Sequence, residues 1–316
     1  MTREVHDLVI VGAGPAALTA AMYTACENIE TILIEKGTVG GIMAGVSRID
    51  NYPGFLHGVS GKFLAENFRS QAEKFGARIR VGEVQKIKKA SNSIVITTDS
   101  ETLEARAVLV ATGSSYERLW IPGEEEFYGK GIHYSGVLDG TIYTNKRLAV
   151  VGGANSAVQE ALFLTKFASH IDLVVRSCVK ASGILQKELS EHVDSGRITL
   201  YEGWIPDKIL SDNRQITSLI VHKTDSKEQK ELLIDGVFIF AGILPNTKFL
   251  ISSGIKLDTA GYIITNHNMM TNISGIFAGG DVRGGITRQI TSATGEGASV
   301  ASFIREYLGE LRSGLV

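Results

Sequence analysis

Residues 12–17, GAGPAA, follow the apolar run LVIV (8–11) and constrain the fold more than any other stretch of the chain. They fit the pattern G-x-G-x-x-A, which turns a buried strand into a helix. Gly12 makes the tight turn, Gly14 leaves the backbone open to a pyrophosphate, and the small Ala17 lets the helix pack closely on the strand. The free N–H groups and positive dipole end of that helix then face the phosphates. A second apolar segment, TILIE, ends in Glu35, 23 residues after Gly12, where a carboxylate can accept hydrogen bonds from a ribose diol. A glycine turn alone occurs in many proteins. Strand, helix and terminal acid together predict a dinucleotide-binding βαβ unit.

The pattern returns 140 positions later, in LAVVGGANSAVQEALFLTKFASHIDLVVR (148–176). Gly152 keeps the turn and Ala157 the close-packing position, while Asn155 and Ser156 open the helix. Ala154 replaces the middle glycine, so a methyl group stands where a pyrophosphate would approach. No acid closes the second strand. Arg176 and Lys180 lie there instead, and cations in that place accommodate a 2′-phosphate, which favours NADPH over NADH. The other reading is a degenerate βαβ unit with solvated cations, and NADPH, NADH and neither all stay open.

Between the two copies, residues 78–114 alternate apolar and polar with period two, turn at Ser91-Asn92-Ser93 and end in a buried strand at 107–111. They predict an antiparallel insertion lying over the first sheet. The polar, glycine-punctuated IPGEEEFYGKGIHY (121–134) reads as a linker, with Glu124 to Glu126 a solvated face and His133 a loop residue. Near the end, GIFAGGDV returns the chain to a buried strand ending in Asp281, whose carboxylate can reach a ribityl or phosphate-linking hydroxyl. Residues 289–308 then read as a helix packed on the first domain.

Composition excludes several classes. A formal charge of −2 over 316 residues offers no basic excess for nucleic acid. The first apolar segment is broken by Gly12, Gly14 and Pro15, too soon for a signal sequence or a membrane span, so a cytoplasmic protein with no membrane partner is expected. Cys26 and Cys178 are the two cysteines; they form neither a disulfide framework nor a metal-ligand spacing, and the seven histidines are scattered, so no metal site is expected.

The ordered set VGAGPAALTAA (11–21), GG (40–41), IDNYPGF (49–55), VLVATGS (108–114), IPGEEEF (121–127), VVGGANSAVQEA (150–161), FIFAGILPNT (238–247), GIFAGGDV (275–282) and RQITSATGEG (288–297) resembles the low-molecular-weight thioredoxin reductases, from about residue 5 to residue 310. The resemblance implies an α/β fold of two Rossmann-like, three-layer ββα dinucleotide-binding domains, the second inserted in the first. It implies an FAD domain of residues 1–116 and 248–316, an NAD(P)-binding-like domain of 117–247, and a homodimer. FAD-binding roles pass by position to Gly12, Gly14, Ala17 and Glu35, and further to Gly41, Asn51, Thr112, Gly113, Asp281, Arg288 and Gln289. Gly152, Asn155, Ser156, Arg176 and Lys180 take the NAD(P) positions.

The departure from that family lies at its redox centre. A C-x-x-C pair should occupy positions 135 and 138, followed by an aspartate that handles the proton; here the residues are Ser135 and Leu138, with Asp139 retained. Disulfide exchange needs a thiolate and a second sulfur, which serine and leucine cannot supply. Cys178 follows the basic Arg176 but has no C-x-x-C partner. The family's His-Arg-Arg cluster aligns with Val175-Arg176-Ser177, so one arginine of the pair survives. These features together describe an FAD-dependent oxidoreductase without an internal redox disulfide. It would pass electrons from NAD(P)H or another donor through FAD to an external acceptor, such as a ferredoxin or a thioredoxin-like protein. The alternatives are a ferredoxin-linked flavoprotein with another nucleotide or a second flavin in its second domain, and a non-enzymatic flavin-binding sensor or interaction protein.

Overall fold

A computed structural model describes residues 5–46, 48–134, 140–212 and 214–314. The chain forms two compact units, Met1–Ser115 with Leu244–Val316, and Tyr116–Ile243.

The first unit is built on strand Val5–Val11, whose residues 8–10 are fully buried because both faces of a parallel sheet are covered. It pairs in parallel with Thr31–Glu35 on one edge and with Thr102–Val110 on the other. The chain thus moves outward from the first strand to one side, then jumps to its other side. Such a reversal opens a crevice at the carboxyl ends of the strands. Thr102–Val110 serves two partners along its far edge: its first half takes the antiparallel hairpin Val84–Lys89 and Ile94–Thr98, and its last residues take Ile276–Ala278 in parallel. The antiparallel insertion is therefore continuous with the parallel sheet. Helix Pro15–Cys26 and the long helix Ile290–Ser313 share one apolar cluster beneath it. A side chain at Gly297 would lie 2.4 Å from the Ala16 carbonyl oxygen, so glycine is what lets these two helices approach.

The second unit repeats the plan. Its parallel sheet runs Ile198–Glu202, His170–Val175, Arg147–Val151, Gly236–Ile239 and Ile132–His133, again reversing direction beside the strand that precedes the glycine turn. A three-stranded antiparallel sheet, Trp204–Asp212, Gln215–Lys223 and Gln229–Leu233, supplies the other β layer. Residues from both sheets meet in one core, among them Ala149, Val151, Leu219, Val221 and Val237.

Two expectations about residues 121–134 are corrected. Glu124 is 3% exposed rather than solvated, and it accepts hydrogen bonds from the Tyr134 hydroxyl (2.6 Å) and from the backbone N–H groups of Leu119 (3.1 Å) and Trp120 (2.6 Å). A buried carboxylate needs such donors, and here they tie the linker to the strand it enters. They also hold Trp120 at φ +58°, with its ring largely exposed. His133 is a buried strand residue, not a loop residue: it stacks on Phe238, and its Nε2 lies 2.8 Å from the Tyr143 hydroxyl. Burial and the Glu124 carboxylate push the Tyr134 phenol well above its ordinary pKa, so it stays a donor.

Both tryptophans, Trp120 and Trp204, belong to this unit, so their fluorescence reports its unfolding. Tyr134→Phe removes one bond to a buried charge and is expected to cost about 2 kcal/mol in urea unfolding followed by tryptophan emission. An unchanged midpoint would show that Glu124 does not need that donor.

Candidate functional site

In the first unit, Gly12 adopts φ +104°, and a side chain there would lie 2.5 Å from the Ala111 carbonyl oxygen. Glycine is thus required twice, by conformation and by the closeness of the neighbouring strand's end. Gly14 caps helix Pro15–Cys26, and a side chain built on it would meet no atom within 4 Å. Among the described residues, that point at the helix N-terminus is therefore open. Ala17 is fully buried. Glu35 accepts the Ala13 N–H on one oxygen and the Gly37 N–H on the other, both at 2.8 Å. That holds the carboxylate beside the glycine turn with lone pairs to spare. Gly41, at φ +58°, comes back against Gly14, and Gly40 N–H donates to the Ala13 carbonyl at 2.7 Å.

Thr112 and Gly113 stand across from Gly12, held by Asn246: the Thr112 hydroxyl donates to the Asn246 carbonyl, and the Asn246 side chain donates to the Thr112 carbonyl, each at 2.8 Å. The Ser114 hydroxyl lies 3.5 Å from the Asp281 carboxylate. Burial pushes the Asp281 carboxyl above the ordinary range and Glu296 adds to this, while Arg288 and the Ser114 hydroxyl act the other way. Arg288 lies over the Tyr262 ring at 4.5 Å. Asn51 donates to the Gln289 side chain at 3.1 Å, where helix Ile290–Ser313 begins. Hydrogen bonds and close approaches therefore link Gly12, Gly14, Glu35, Gly41, Thr112 and Gly113 around one helix terminus. Asn51 with Gln289 and Asp281 with Ser114 form two further pairs. A nearby groove of about 330 Å³, lined by Leu18, Met22, Tyr23, Tyr52 and Phe68 among others, includes none of the residues chosen from sequence.

The second unit reproduces the geometry and changes the chemistry. Gly152, at φ +140°, is pressed against the Phe240 carbonyl oxygen as Gly12 is against that of Ala111. Lys180 N–H donates to the Gly153 carbonyl at 2.7 Å, the counterpart of the Gly40–Ala13 bond. Val175 occupies the place of Glu35: a side chain at Gly153 would lie 2.5 Å from its Cγ1. Asn155 spends its side-chain oxygen on the Ser182 N–H at 2.8 Å. Ser156, Arg176 and Lys180 are exposed. Ser135, Leu138 and Asp139 lie outside the described residues. Cys26 and Cys178 are both exposed and unpaired with each other. Among the described residues no group of three or more His, Cys, Asp or Glu could hold a metal ion, and no helix is long and apolar enough to cross a membrane.

Sequence reasoning missed Ser114, Asn246, Arg283 and Glu296. Ser114, Asn246 and Glu296 fall inside the quoted motifs, but the partners of Ser114 and Asn246 lie more than a hundred positions away, and nothing in the sequence pairs Arg283 with Glu296.

The pyridine nucleotide-disulphide oxidoreductase family model matches residues 6–297. The chain is 38% identical to a thioredoxin reductase of Listeria innocua over 99% of its length and 97% of that protein. It is 37% identical to a thioredoxin reductase of Bacillus subtilis over 99% and 98% respectively. The crystal structure of thioredoxin reductase from Streptococcus pyogenes superposes with a TM-score of 0.85 at 35% identity, covering 98% of this chain and all of that one. This chain belongs to the pyridine nucleotide-disulphide oxidoreductase family and is an oxidoreductase of the thioredoxin-reductase-like type.

A carboxyl whose pKa is raised in the folded chain favours folding while neutral, and that contribution is lost as pH rises through the raised value. Asp281→Asn, which cannot ionise, is therefore expected to match the natural flavin-free protein near pH 4 and to melt about 2 °C higher near pH 7. A variant that melts lower at neutral pH would contradict burial as the dominant influence on Asp281.

Proposed function

We propose that this protein is an FAD-dependent oxidoreductase that moves electrons from NAD(P)H, or from another donor, to an acceptor outside the chain. The observation that carries the reading is the open space before Gly14, bounded by Glu35, Gly41 and the Thr112-Gly113 turn. A pyrophosphate would lie there because no atom of the described residues comes within 4 Å of a side chain built at Gly14, and helix N–H groups face that point. Glu35 would accept the adenosine ribose hydroxyls, and Asp281 a hydroxyl of the linking chain. Asn51 and Gln289, already bonded to each other, would orient the far end of the cofactor. When bound, FAD supplies two-electron and one-electron transfer within one group.

Ser135 and Leu138 cannot be reduced to a dithiol, so electrons would leave without passing through an internal disulfide. The acceptor is then a separate molecule, a small redox protein such as a ferredoxin or a thioredoxin-like protein, and Asp139 would handle protons beside it. The protein would act as a cytoplasmic homodimer. In the second unit Gly152, Asn155, Ser156, Arg176 and Lys180 would hold NADPH or NADH.

Val175 and Ala154 favour a second reading. An apolar side chain replaces the ribose-binding acid and a methyl group replaces the open glycine, so this unit would hold a different nucleotide, a second flavin included, and a ferredoxin would deliver the electrons.

Anaerobic stopped-flow mixing with NADPH and, separately, NADH decides between them. Rapid bleaching of the flavin band near ~450 nm is expected if the second unit is a working nicotinamide site. Flavin that neither nucleotide reduces, but a reduced ferredoxin does, would remove NAD(P)H as the donor and favour the second reading. Flavin that none of them reduces would leave the non-enzymatic role.

A further inference from the structure

The turn that carries Asp281 is held from behind by one carboxylate. Glu296, on helix Ile290–Ser313, accepts the Gly280 N–H at 2.8 Å and the Arg283 Nε at 3.2 Å on one oxygen, and the Arg283 Nη2 at 3.0 Å on the other. The pair is largely enclosed, with side-chain exposures of 17% for Arg283 and 18% for Glu296. Arg283 also bonds the Thr265 hydroxyl. Gly280 has φ +76°, and a side chain there would lie 2.9 Å from the Ala16 Cβ, so the turn is wedged against the first helix as well. The residue before Asp281 and the residue two after it are thus tied to the helix that begins beside Gln289. A bidentate, partly buried pair of this kind fixes geometry more than it adds stability.

We propose that Glu296, through Gly280 and Arg283, is the positioning residue that holds Asp281 in place for the cofactor. The inference rests on the FAD reading above. It assigns Glu296 no contact with the cofactor, and its effect on binding should run through Asp281. The groups that face Asp281 are Arg288, Glu296 and the Ser114 hydroxyl.

The test measures FAD affinity of deflavinated protein by flavin fluorescence, for the natural chain, E296Q, R283M, D281N and the E296Q/D281N double variant. Glutamine keeps an acceptor for the Gly280 N–H, so E296Q should remain folded by circular dichroism, and R283M provides an independent perturbation. E296Q is expected to weaken FAD binding by about tenfold in the natural background and by less than about twofold in the D281N background. The pH profile supplies a second readout. Affinity should fall as Asp281 gains a proton on acidification. E296Q removes a negative neighbour and should move that fall to lower pH, R283M leaves the negative neighbour uncompensated and should move it to higher pH, and D281N should abolish it. Equal affinities for E296Q and the natural chain, additive losses in the double variant, or shifts of the same sign in E296Q and R283M would each overturn the inference. A purified chain that neither carries FAD nor takes it up would instead defeat the cofactor reading on which the inference rests.

Discussion

The close approach of a left-handed glycine to the end of the neighbouring strand underlies both units. At Gly12 the neighbour is the Ala111 carbonyl and at Gly152 it is the Phe240 carbonyl, each 2.5 Å from where a side chain would begin. Any other residue would push the helix away from the sheet and close the crevice at the point where the strand order reverses. The rest of the first site is arranged around that contact: Glu35 is fixed by the Ala13 N–H, Gly41 returns against Gly14, and Asn246 holds Thr112 and Gly113 opposite.

The same frame carries different chemistry in its two copies. The first presents an acid and an open glycine. The second presents Val175 and the methyl group of Ala154, with its remaining cations, Arg176 and Lys180, exposed to solvent. An anion can be held at either helix N-terminus, but where the first copy offers the Glu35 carboxylate to a ribose the second has Val175. Backbone geometry is therefore shared while side-chain recognition has diverged, and it is the divergence that decides what each unit can bind.

The glycine turns, the apolar parallel strands and the terminal helix could be read directly from sequence, because period, glycine and burial are local signals. The helix extends to Ser313, beyond the 289–308 expected from spacing. Glu124 could not be read in this way. Its neighbours Glu125 and Glu126 are solvated, and its burial depends on Tyr134 and on a backbone conformation at Trp120 that has no sequence signature. Arg283 and Glu296 look like ordinary surface charges in the sequence, and only the return of the last helix to the Asp281 turn brings them together.

Electron accounting gives the most direct test of the functional account. Anaerobic reductive titration of the flavin-loaded protein with dithionite should end at about two electrons per chain, because FAD would be the one redox group present. An uptake of about four electrons would reveal a second two-electron centre: a disulfide would contradict the account, and another flavin would replace its first reading with the second.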